Sequence, residues 1–167
     1  MVYESFDPRK AYRQYLGTQW DYDKDNNLEY CITITDRTGD PVYIPILLSE
    51  EIDTQNLPPL PYIEMHIPPG GTTYEPHDVL ASTRKMQSFI ILNVYFADLD
   101  NIDRTEFAKK IKDKLHYITR SNQSTTPGIV FMNIEDDGLE EETDGHRVIF
   151  HYIATLYCLY YDTCIEP

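Results

Sequence analysis

The chain has 167 residues, with 28 acidic and 14 basic side chains and a formal net charge of −14. That length suits one domain able to bury a core without disulfides or metal, and 14 tyrosines with 6 phenylalanines exclude a disordered tail. The charge disfavours a broad phosphate-binding surface, and no apolar run reaches the roughly 18 residues of a membrane span.

The N-terminal MVYESFDPRK lacks a secretory core, so a soluble intracellular protein with no membrane partner is expected. Cys31, Cys158 and Cys164 form no CxxC pair and are expected to be reduced thiols. Asp7-Pro8 opens a first helix, an acceptor at N-cap followed by proline at the first helical position. Ala11, Tyr12, Tyr15 and Leu16 share one side of it, and Gly17 is expected to end it. The polar segment WDYDKDNNL (20–28) precedes an alternating strand, EYCITIT (29–35), and the DRTGD turn returns the chain as VYIPILL (42–48). Pro45 inside that run argues for an edge or a bulge.

The proline-rich LPPLP leads to a short strand, YIEMHI (62–67). From Pro68 to about Ala81 the turn residues and missing periodicity read as a long loop. KMQSFIILNVYFA (85–97) then places Met86, Ile90, Leu92, Val94 and Phe96 on one face of a long central strand. The clearest helix follows. Asp103 and Glu106 form a capping box, and Phe107, Ala108, Ile111, Leu115 and Ile118 make its apolar stripe. After SNQSTTPG come a strand from Ile129 to Glu135, an acidic turn from Asp136 to Gly145, and a strand from about His146 to Tyr161. Both faces of that last strand are apolar, so both are expected to be covered. These elements predict an α+β fold: one domain, 1–167, with a mixed or antiparallel sheet flanked by an amphipathic helix (about 103–120) and a short N-terminal helix.

Candidate chemistry is sparse. His66, His77, His116, His146 and His151 lie in no HExxH, GxSxG or Cys–His signature, so no catalytic residue is assigned and no enzyme is expected. Asp21, Asp23, Asp25, Asn27 and Glu29 alternate like the start of a calcium loop, yet Asn26 stands where glycine is required and Ile32 where the bidentate glutamate is required. A solvated turn is the better reading, and no metal and no cofactor are expected. Gly70-Gly71 precedes no GK[ST] and reads as a turn.

The charge pattern is more specific. Asp136, Asp137, Glu140, Glu141, Glu142 and Asp144 crowd one segment, while Lys109, Lys110, Lys112 and Lys114 crowd the second helix. Each is an ordinary solvated face in the bland reading. Together they suit a head-to-tail contact between copies, which closes into a ring where the rotation permits. Tyr152, Tyr157, Tyr160 and Tyr161 fit an interface or a core equally well.

The order LPPLPYIEMHI, long connection, KMQSFIILNVYFA, DRTEFAKKIKDKL, GIVFMNIE, acidic turn and HRVIFHYIATLYCLYY resembles the tail-terminator or tail-completion (neck) proteins of tailed phages. The resemblance implies a structural virion protein present in the host cytoplasm during assembly. It would form a ring, usually a hexamer, that caps the tail tube. The partners would be copies of the chain, the tail-tube protein and head-side connector proteins. DNA would pass an anionic lumen without specific binding. On this reading the acids of 136–144 face the lumen or a neighbour, and the lysines of the helix contact the adjacent subunit. The loop with Gly70, Gly71, Tyr74 and His77 docks the tube or connector. The competing readings are another neck or head-completion adaptor, and a small metal-dependent hydrolase using His66 or His77.

Overall fold

The computed structural model describes residues 2–3, 6–19, 30–76, 83–98, 102–121, 129–145 and 147–165. The polar segment 20–28, the connection 122–128, His77 and His146 lie outside the described residues. The elements in chain order are β1 (Val2–Tyr3), α1 (Pro8–Gln19), β2 (Cys31–Thr35), β3 (Pro41–Leu48) and a 3-10 turn at Ser49–Glu51, followed by β4 (Tyr62–His66), β5 (Thr72–Pro76) and β6 (Thr83–Phe96). Then come α2 (Arg104–Ser121), β7 (Ile129–Asp144) and β8 (Arg147–Ile165). They form an α+β fold around one eight-stranded mixed sheet.

The long strands β6 and β8 pair antiparallel through the centre, from Thr83↔Thr163 to Phe96↔Phe150. The far edge of β6 carries β4 and then β5 in tandem, and the far edge of β8 carries β7 and then β1. Beyond β4 the sheet continues through β3, paired in parallel, to β2. The pleat then sorts the side chains. Ile90, Leu92, Val94 and Phe96 of β6, with Phe150, Ala154, Leu156 and Cys158 of β8, are buried on the inner face.

Both helices cover that inner face. Phe107, Ile111, Leu115 and Ile118 of α2 are buried, and Phe107 stacks on Phe96 with ring centroids 4.4 Å apart. The hydroxyl groups of α1 reach α2: Tyr12 is 2.9 Å from Thr119 Oγ1, and Tyr15 donates to the Ile118 carbonyl at 2.8 Å. Phe131 of β7 packs against both tyrosine rings. Asp7 caps α1 through the Arg9 amide (3.0 Å), and Asp103 caps α2 through the Glu106 amide (2.9 Å). The Glu106 carboxylate turns outward to Arg37 and Lys110.

Four expectations change. First, α1 runs past Gly17 to Gln19, because Gly17 is where Tyr30 packs onto the helix; a Cβ there would sit 2.8 Å from the Tyr30 ring. Second, the described part of the stretch after Pro68 contains a strand, β5, from Thr72 to Pro76. The turn held by Gly71 N–H on Pro68 O (2.8 Å) is a short excursion from the edge of β6. The chain leaves opposite Ile91, rejoins opposite Ser88 and continues as β5. Third, the acidic segment is also strand, paired with β8 as far as Asp144↔Arg147. Register shifts at Phe131/Asn133 and Asp136/Gly138 absorb its extra residues, and the reversal is confined to the Gly145 region. Fourth, the outer face of β8 is covered only in part among the described residues, with His151 and Thr155 buried on it. Ile149, Ile153, Tyr157 and Leu159 on the outer face remain part-exposed.

Pro45 occupies a junction within β3. Ile46 N–H donates to Tyr30 O at 3.0 Å, so the alternation points the Pro45 nitrogen away from β2. On that side pairing with β4 begins only at Ile46, so the missing donor leaves no ladder bond unmade.

Candidate interface: an acidic strand, a basic helix and an open sheet face

The pleat of β7 splits its acids between two faces. Asp136 and Glu141 fall on the helix side, opposite Ala154 and Phe150, whereas Glu140 and Glu142 oppose His151 and Ile149 on the outer side. Asp136 is the anchor of the helix side. Its carboxylate accepts from Lys112 Nζ (2.6 Å), His116 Nε2 (3.0 Å) and the Tyr152 hydroxyl. Burial alone would raise its pKa, yet these bonds outweigh burial and hold it at about 2. Burial, with Asp136 alongside, raises the Tyr152 phenol. Glu141 meets Arg104 at 3.5 Å. Asp137, at the bulge, accepts from the Thr155 hydroxyl.

The basic helix is largely engaged within its own chain. In β2 the residues whose backbone groups point away from β3 are Cys31, Thr33 and Thr35, by the same alternation that orients Pro45. Lys114 Nζ donates to the Thr33 carbonyl and Lys110 Nζ to the Thr35 carbonyl. Two lysines therefore cap acceptors on the sheet's exposed edge, a device that discourages strand addition. With Lys112 on Asp136, three of the four lysines marked for a neighbouring subunit make intrachain bonds. Lys109 is exposed, without a partner among the described residues.

The outer face of the sheet carries no helix among the described residues. Its β5 end is apolar and aromatic: Phe89 lies opposite Tyr157, their rings 6.2 Å apart, and Leu159 opposite Val130, which is 42% exposed. Its hairpin end is acidic, with Glu64, Glu135, Asp137, Glu140 and Glu142 around His66 and His151. His66 Nδ1 lies 3.0 Å from Glu64, and His151 Nε2 lies 2.7 Å from Asn93 Oδ1. The juxtaposition of Glu140, Glu142 and His151 follows from the strand pairing of 136–144 with β8, which an acidic turn over 136–145 does not contain. A hairpin centred on Gly145 would have exposed it.

Of the docking-loop residues, Gly70 (φ 76) and Gly71 form the excursion turn, and Phe89 N–H donates to Gly71 O at 3.0 Å. Tyr74 stands on β5, 61% exposed, with the Arg84 guanidinium 5.1 Å from its ring centroid. Cys31 and Cys158 are buried free thiols, and burial pushes Cys158 up to about 12, which makes it a poor nucleophile.

These features define an α+β protein with one face of its sheet packed and the other open. No protein-family model matches the chain, and no curated protein matches it. No helix among the described residues is long and apolar enough to cross a membrane.

Proposed function

We propose that the chain is a structural assembly subunit that associates through the outer face of its sheet, in a ring of the phage tail-terminator or neck type. The observation that carries the association is the row formed by Phe89, Tyr157, Leu159 and Val130, large apolar side chains left part-exposed or exposed on the sheet face that carries no helix among the described residues. Such a row marks an interaction surface when it is continuous and rimmed by polar groups. The rim toward the hairpin is acidic, with Lys85 and Gln87 at the other end, so on the hairpin side a partner surface with positive potential is favoured and a bare phosphate backbone is repelled. The placement at a tail neck, with tail-tube and connector proteins as partners and DNA passing the lumen, rests on the order of elements in the sequence.

The test is electron microscopy of the purified chain, alone and with tail-tube protein. Closed rings, or caps on the ends of tubes, support the reading. Dispersed single subunits that neither ring nor bind tubes contradict it.

A further inference from the structure

The acidic end of the outer face holds a group of side chains that assembly does not require. His151 on β8 faces Glu140 on β7 across the ladder, and Glu142 follows on the same side. His151 is 8% exposed, and its ring is clamped in place by Tyr95, stacked at 4.4 Å and 16°. Its two nitrogens stand in different surroundings. Asn93 Nδ2 donates to Glu64 at 2.5 Å, which turns Asn93 Oδ1 toward the imidazole as an acceptor. The Nε2 of His151, 2.7 Å away, must therefore carry the proton. In the neutral ring this leaves a lone pair on Nδ1.

That Nδ1 is buried with no hydrogen-bond partner. It lies 3.8 Å from Glu140 Oε2 and 3.8 Å from Glu142 Oε1, and the three donor atoms lie within 4.8 Å of one another. Three acceptor atoms thus converge with no donor among them, and a cation is the group that satisfies all three.

We infer that His151 Nδ1, Glu140 and Glu142 bind one divalent cation of the zinc class on the outer face of the β7–β8 hairpin. An imidazole with two carboxylates suits Zn²⁺, whereas Ca²⁺ and Mg²⁺ favour oxygen-only sets. Tetrahedral zinc needs its ligand atoms about 3.3 Å apart, given bonds of about 2.0–2.2 Å. The glutamate side chains, 63% and 57% exposed, reach that spacing by rotating about their own bonds. The Glu64–Asn93–His151 relay is the outer support that fixes tautomer and ring plane at metal-bound histidines. Three protein ligands leave a fourth position for water or a ligand from another molecule.

The test is calorimetric titration of EDTA-stripped, extensively dialysed protein with ZnCl₂, and separately with MgCl₂. The expected result is one zinc per chain, with Mg²⁺ at least tenfold weaker. His151 is buried and its replacement risks the fold, so the variant is Glu140→Gln/Glu142→Gln, at two exposed positions. It should bind zinc at least tenfold more weakly while melting like the parent in EDTA, and zinc should raise the melting temperature of the parent alone. Absence of stoichiometric binding, equal affinity in the double variant, or Mg²⁺ binding as tight as zinc would each overturn the site. Association into rings is read separately, by particle mass, so either claim fails without the other.

Discussion

The two faces of the same pair of strands differ in one respect that decides their roles. On β6 and β8, alternate residues Ile90, Leu92, Val94, Ala154 and Leu156 are fully enclosed beneath α1 and α2, while their neighbours Phe89, Ile91, Ile153 and Tyr157 are apolar too yet part-exposed. The outer face is the more polar of the two, with Lys85, Gln87, Asn93, His151 and Thr155 interspersed, yet its apolar members lack the helical cover that encloses those of the inner face. An apolar residue in a strand therefore indicates that a face is to be buried, and whether the chain buries it alone or with a partner is decided elsewhere.

The largest effect that would sharpen this contrast lies on the packed face. Phe107→Ala removes a ring stacked on Phe96 and should cost about 3–5 kcal/mol of unfolding free energy, whereas Phe89→Ala on the open face should cost about 1 kcal/mol or less. Denaturant titration of the two variants checks the difference, and equal losses would break the comparison.

Next in size is the Asp136 anchor. Its folded pKa, held at about 2, lies below the unfolded carboxylate value, so its contribution is present in full above about pH 4 and is lost as pH falls through about 2. With its side chain 27% exposed, that contribution amounts to about 1–2 kcal/mol. Asp136→Asn should lower stability by that amount at pH 7 and flatten the acid limb between pH 4 and 2, read from denaturation midpoints across pH.

A smaller effect tests the edge. Lys110→Gln/Lys114→Gln removes the ammonium groups that cap the Thr33 and Thr35 carbonyls and should cost about 0.5–1.5 kcal/mol per bond. Its sharper signature is faster aggregation on heating, followed by turbidity, because β2 then offers unguarded acceptors. Smallest of all, Lys109→Gln should change the unfolding free energy by no more than about 0.5 kcal/mol.

How far the sequence revealed this is clear from particular elements. The α2 stripe and the inner residues of β6 were legible because periodicity alone places them, and the Asp103 cap because its acceptor is local. The strand character of 136–144 was not legible. Acidic side chains have low strand propensity, and the pairing that overrides it comes from β8, whose aromatic and β-branched run supplies the template. β5 is illegible for the same reason, since Thr72–Pro76 gains its strand from the edge of β6. The charge segments were legible as segments, but their division between Asp136 facing Lys112 and Glu140 facing His151 depends on bulges that no local pattern announces.

The most direct test of the open face is particle mass by light scattering at two protein concentrations and two salt levels, for the parent and for Phe89→Asp/Tyr157→Asp. The account predicts a multiple of the 19.6 kDa chain that grows with concentration in the parent, and a folded 19.6 kDa particle in the variant. A parent that stays at 19.6 kDa under every condition, or a variant that associates as the parent does, would contradict it.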